Sequence, residues 1–146
     1  MRRKMVVVSI FFVLILLSVS ACFNIEKKCS GAEEQGFRWI REESSFIDYS
    51  ICDDTIRFRY AFCFENKTED DVSVSCLTAK FRKRELYGWL KYEKFYDGVL
   101  ESGDFAITIN AGQKVTVVYV FTGQYSGGLV PEKLSVPDIT MILDYE

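Results

Sequence analysis

The alternation from Ile56 to Phe64 limits what this chain can fold into more than any other feature. Ile56, Phe58, Tyr60, Phe62 and Phe64 occupy every second position, with Arg57, Arg59, Ala61 and Cys63 between them. A period of two puts the five large side chains on one face of an extended chain, whereas a helix would scatter them around its circumference. That face needs cover, so the stretch demands a sheet with a second layer over it. Ile47, Tyr49 and Ile51 alternate in the same way with Asp48 and Ser50, which predicts another strand with one buried face. Asp53-Asp54 is the turn between the two runs.

The rest of the chain continues in short apolar runs. Asn66 to Asp71 holds only turn and charged residues, and Val72 to Phe81 resumes as a strand. Lys80 to Glu85 is a charged step, followed by Tyr87, Trp89, Tyr92, Phe95 and Tyr96 around Gly88, where period two fits only the first half. Phe105, Ile107 and Ile109 alternate after Asp97-Gly98 and Ser102-Gly103, and Asn110 to Gln113 turns into Val115–Phe121. Near-continuous β-branched and aromatic residues mark Val115–Phe121 as the most buried strand. Residues 123–137, with Gly127-Gly128, Pro131 and Pro137, form a long loop over one end, and Ile139, Met141 and Leu143 mark a final strand. Phe37 to Ser45 fits either a short helical turn or an irregular edge strand. Six to eight short strands and no long helix predict an all-β protein of two packed antiparallel sheets.

The N-terminus gives an address. Arg2, Arg3 and Lys4 precede an apolar run from Val6 to Val19, and Val19-Ser20-Ala21-Cys22 closes it. This is the layout of a secretory signal. Its ending resembles the lipobox of bacterial lipoproteins, in which an apolar residue and two small residues precede a cysteine whose thiol is acylated. The resemblance implies a signal peptide over 1–21, lipidation at Cys22, and a membrane-anchored protein on the extracytoplasmic face. An uncleaved spanning anchor, or an ordinary cleaved signal, competes with it, because Val6 to Phe23 is about the length a membrane helix needs.

Removing 21 of the 146 residues leaves 125, the size of one domain with one core. Residues 22–36 are polar and charged and read as a flexible tether, with the sandwich over 37–146. Three of the 18 basic residues leave with the signal while all 21 acidic ones stay, and a net charge of about −6 argues against nucleic acid as a partner.

Four cysteines remain, and an even number outside the cytoplasm suggests disulfides. If Cys63 lies opposite Cys76, Phe62 faces Leu77, Tyr60 faces Ala79 and Phe58 faces Phe81, so one face becomes apolar throughout. This register predicts Cys63 with Cys76 and, by elimination, Cys29 with Cys52. The alternative is a set of buried thiols acting as small hydrophobes. A metal site is disfavoured, because the chain has no histidine and no close Cys-x-x-Cys pair.

Phe62 to Val74, with its Asn66-Lys67-Thr68 step, resembles the second-to-third strand connection of small immunoglobulin-like domains on bacterial surface lipoproteins. Ile107 to Gly123, where Ala111-Gly112-Gln113 feeds a strand ending Phe121-Thr122-Gly123, is similar to a later part of the same domains. The resemblance implies an immunoglobulin-like sandwich at a cell surface and brings no catalytic residues.

Without histidine, triads and general bases built on it are excluded. Asp53, Asp54, Glu69, Asp70 and Asp71 could serve a paired-carboxylate hydrolase or a protease-inhibitor-like effector, yet they lie in turns where such residues are usually solvated. Glu69 to Asp71 could attract calcium but lacks an EF-hand pattern, and Asn66-Lys67-Thr68 matches a glycosylation acceptor that a bacterial address turns into ordinary turn chemistry. Two features could carry binding. Tyr87, Trp89, Tyr92, Phe95 and Tyr96 could expose rings to a sugar or a protein, against the plainer reading that they are core. Lys80, Arg82, Lys83 and Arg84 could sit on anionic headgroups or wall polymers, against the plainer reading of a solvated strand end. The sequence therefore predicts a lipid-anchored binding or accessory module without catalysis or cofactor, whose partner is an extracytoplasmic protein or a cell-wall polymer.

Overall fold

The computed structural model describes residues 29–30, 36–93 and 95–145. In chain order the elements are β1 (Cys29–Ser30), β2 (Phe37–Cys52), β3 (Thr55–Asn66), β4 (Val72–Lys80), α1 (Lys83–Leu86), β5 (Tyr96–Leu100), β6 (Ile107–Ile109), β7 (Lys114–Gln124) and β8 (Asp138–Tyr145). All strand pairings are antiparallel, and the hydrogen-bonded order is β1-β8-β4-β5-β7-β3-β2, with β6 beside β4. The fold is an all-β sandwich: β2, β3 and β7 make one layer, and β8, β4 and β6 make the other.

The long alternating run becomes β3, and Ile56, Phe58, Tyr60, Phe62 and Phe64 are all completely buried. Burying side chains of this size contributes about 1.5–3 kcal/mol each, so this strand is the centre of the core. β3 therefore replaces Val115–Phe121 as the most buried strand: in β7, Thr116 is exposed and Val115 and Val118 are half-buried. The reason is that β7 has β3 along its whole length on one side, but on the other side only β5, opposite Tyr119, Val120 and Phe121.

β5 joins the two layers. Gly98 pairs with Leu77 of β4 on one side and with Phe121 of β7 on the other. A Cβ built on Gly98 would lie 2.9 Å from Phe121 Cε1 and 3.1 Å from Leu77 Cδ2, so the sheet turns its corner where a side chain is missing. Predicted as a turn with Asp97, this glycine is instead the close contact that lets the strand pair on both sides. After Leu100 the chain leaves the sheet over 101–106 and returns to β4 as β6, opposite Val72, Ser73 and Val74.

Phe37 to Ser45 is resolved as strand and is continuous with the next run in β2. Its irregularity is a bulge: Ile40 pairs with Cys63 and Ser45 with Ala61, so extra residues loop out between them. Ser44 pins this bulge. Its hydroxyl donates to the Ile40 carbonyl and accepts from Trp39 Nε1 and the Cys63 amide. Beyond the bulge, Ile47, Tyr49 and Ile51 are 40, 37 and 41 % exposed, which corrects the expectation of a buried face there. Tyr49 and Ile51 do lie on the core side, opposite Phe58 and Ile56, but at the sheet's edge they lack cover.

The predicted register between the second and third runs is not formed. β3 pairs with β2 and β7, while β4 pairs with β5, β6 and β8. The connection over 67–71 is an arch between layers, organised by the fully buried Asn66. Its side-chain amide donates to the carbonyls of Asp70 and Ile109, and its oxygen accepts from the amide and hydroxyl of Thr68. Cys63 thus sits opposite Ile40 and Thr116, and Cys76 opposite Ile142. Neither they nor Cys52 are in a disulfide, so both predicted bridges are corrected. The alternation was real, but two apolar faces that meet across a sandwich carry the same period as two that lie side by side. Cys29–Ser30, read as tether, pairs its backbone with Met141 and Thr140 of β8. The charged step contains α1, whose single turn buries Leu86.

Candidate functional site

β2 starts at the end of the sandwich that carries the 67–71 arch and the Asn110–Gln113 turn, and its hairpin to β3 closes the opposite end. At this far end, α1 and the residues after it pack beside the end of β7. Leu90 bridges to Tyr125, the Lys91 amide donates to the Gln124 carbonyl, and the Tyr125 amide donates to the Asp54 carbonyl. The loop after β7 is pressed on Gly88. A Cβ on Gly128 would lie 2.6 Å from the Gly88 oxygen, and Tyr125 holds the same loop through its hydroxyl to the Gly128 carbonyl at 2.6 Å. Tyr87 and Leu129, the sequence neighbours of these two glycines, therefore project from adjacent loops at 83 and 95 % exposure.

The predicted aromatic segment splits between core and surface. Trp89 is buried against Phe58, with its indole N–H bonded to the Glu85 carbonyl at 2.7 Å. Tyr96 is buried too, its hydroxyl donating to the Lys91 carbonyl and accepting from the Glu93 amide, and burial pushes its pKa above the ordinary tyrosine value. Neither offers a surface for a ligand, which corrects their assignment as binding residues. Tyr87, Tyr92 and Phe95 are exposed. Lys83 and Arg84 are exposed beside them, and the Lys83 ammonium lies 5.6 Å from the centre of the Tyr92 ring. The exposed set thus combines rings, one aliphatic tip and cations. Leu129 was missed in the sequence because one leucine within a glycine- and proline-rich loop carries no periodic signal.

A second concavity lies midway along the sandwich. β6 and the first half of β7 are joined by the Asn110–Gln113 turn but do not pair, and a groove of about 530 Å³ opens between them. Leu100, Ala106, Ile107, Val115 and Val117 give it apolar walls, and Glu101 and Asp104 stand at its rim. Glu101 is engaged by Arg59 at 2.6 Å. Phe105, on the adjoining excursion, is 99 % exposed.

The loop carboxylates are separated by the fold. Asp53 and Asp54 lie at the β2–β3 hairpin, while Glu69, Asp70 and Asp71 lie at the other end of β3, so the two groups cannot act as one pair. Asp71 already accepts the Ala111 amide at 2.8 Å. Among the described residues no three Cys, Asp or Glu side chains converge as a metal site requires, and no helix is long and apolar enough to cross a membrane. The predicted signal over 1–21 and Cys22 lie outside the described residues, as does the side chain of Cys29. Comparison with family models, with curated proteins and with solved structures finds no match to the chain.

Proposed function

We propose that the chain is a bacterial surface lipoprotein of the immunoglobulin-like kind, held on the extracytoplasmic face through acyl chains on Cys22. In this reading it acts without catalysis, as a binding or accessory module whose working surface is the end bearing Tyr87 and Leu129. The observation that carries the reading is the pairing of those two exposed tips at the end of the sandwich away from the start of β2.

The chemistry of the tips favours a protein partner over a wall polymer. Aromatic rings stack on sugars, but an aliphatic tip such as Leu129 gains most by filling an apolar pocket, and Lys83 and Arg84 supply a charged rim. The test is capture from native membranes with the full-length protein, compared with a Tyr87→Ser, Leu129→Ser variant. A specific protein captured by the wild type and lost in the variant supports the proposal. Equal capture by both moves the site elsewhere, and retention on isolated wall polymer replaces the protein partner with the polymer. Replacing Cys22 with Ser tests the anchor separately: the protein should either leave the detergent-rich phase or accumulate as the uncleaved precursor, and a wild type carrying no lipid would refute the anchor. A hydrolase remains the second reading because Glu101 and Asp104 share the groove rim, and Asp104→Asn should abolish any such activity.

A further inference from the structure

β2 changes character at its bulge. Its first half carries Arg38, Arg41, Glu42 and Glu43, and Arg41 reaches the other layer, donating to Asp138 at 2.6 Å and to the Val136 carbonyl. Charges and a clamp of this kind keep another strand from joining an edge. The second half, Ser45 to Cys52, has no proline and a single charge, Asp48, which Arg59 of the same chain already neutralises at 2.9 Å. Among the described residues no strand pairs with its outer side.

The direction of the open backbone groups follows from the bonds around β3. The Cys63 amide donates to Ser44 on β2, and the Asn66 amide to the Gln113 carbonyl just before β7. Odd residues of β3 therefore turn their backbone groups toward β2, and even ones toward β7. Ser50, opposite Arg57, turns its own toward β3, so Tyr49 and Ile51 turn theirs to the open edge. Their side chains extend the core face past its cover, at 37 and 41 % exposure.

We propose that this half-edge pairs antiparallel with the same stretch of a second copy, centred on Ser50. Tyr49 then faces the partner's Ile51, and Ile51 faces the partner's Tyr49. The two-fold axis keeps all four side chains on the core side as one continuous apolar row, and about four backbone hydrogen bonds close across the junction. The stretch is complementary to itself: it sets no like charges opposite one another, and a charged peptide would gain nothing from an edge whose one carboxylate is already paired. The interface is short, so the association is weak and reversible.

The test is crosslinking of the full chain in native membranes, with Ser50→Cys in a Cys52→Ser background. Two residues at position 50 form the close, non-hydrogen-bonded pair, about 4.5 Å between Cα atoms, within reach of a disulfide. The expected result is a reducible species of twice the mass under mild oxidant, reduced at least tenfold when Tyr49→Lys and Ile51→Lys are added. Protection of the buried Cys63 from alkylation shows that the lysine variant still folds. Glu42→Cys in the same background, on the guarded half of the edge, should give no dimer. Absence of the position-50 dimer, equal crosslinking at position 42, persistence with both lysines, or a crosslinked product with a different protein would each overturn the proposal.

Discussion

Substituting Gly98 with alanine adds one methyl group where β5 turns the corner between layers. That methyl carbon would lie 2.9 and 3.1 Å from two atoms of the Phe121 ring and 3.1 Å from Leu77 Cδ2. Neither neighbour has room to yield. Phe121 and Leu77 are both completely buried, and Phe121 is enclosed by the rings of Phe58, Tyr60, Phe62 and Phe81 at centroid distances of 5.7 to 6.2 Å. Overpacking of this kind costs about 1–3 kcal/mol, which for a domain of this size lowers the melting temperature by about 4–12 °C. Thermal unfolding followed by circular dichroism measures it. A double-mutant cycle then identifies the cause: Phe121→Leu alone is destabilising, but combined with Gly98→Ala it should cost less than the sum of the two, because each change relieves the other. An unchanged melting temperature for Gly98→Ala, or strict additivity in the cycle, would refute the close approach and with it the role of β5 as the corner.

Asn66→Ala should cost about 1–3 kcal/mol in urea unfolding, because it strands the Ile109 carbonyl that the amide satisfies at 2.8 Å. In the native protein an alkylating reagent should modify the exposed Cys52 and Cys76 rapidly and the buried Cys63 only on unfolding, since burial also raises the pKa of the Cys63 thiol and keeps it from forming the reactive thiolate. Stability should fall in alkali. Burial raises the pKa of Tyr60, Tyr96 and Tyr119, the last to about 12 from a normal 10.0, so each contributes stability that is complete below pH 10 and is lost as pH rises through the folded-state value. Tyrosinate absorbance recorded alongside circular dichroism should show these residues ionising together with unfolding, and full ionisation of every tyrosine in the folded protein would contradict it.

The sequence makes β3 legible because one period of two runs uninterrupted through five large side chains; β8 follows from the same alternation, and β7 from its near-continuous run of β-branched and aromatic residues. Partnership is harder to see. Val72, Val74, Leu77 and Ala79 show that β4 has a buried face but not whether β3 lies beside it or across from it, and the predicted disulfides failed on that ambiguity. β2 resists reading because three-dimensional pinning by Ser44 breaks the register, so each half keeps an alternation that the whole lacks. At the candidate site, Tyr87 and Trp89 look equivalent in sequence. Trp89 is buried because the short α1 turn and the end of β7 enclose it, a tertiary circumstance that local pattern does not encode.

The pairing of β4 has a consequence for how the chain acquires its structure. Every partner of β4 follows it in the sequence, and β8, its longest, is the last strand described. A chain delivered from its N-terminus can zip β2 to β3 early as a local hairpin. β5 and β6 reach one edge of β4 soon after it, but its other edge must wait uncovered until β8, some sixty residues further on, arrives. Loop closure over that span is slow compared with hairpin formation, and assembly of this kind lies at the slow end of small-domain kinetics. Between the two events the half-built sheet shows an adhesive strand edge to its surroundings, so the rate at which the residues of β8 are delivered sets how long it is exposed to aggregation.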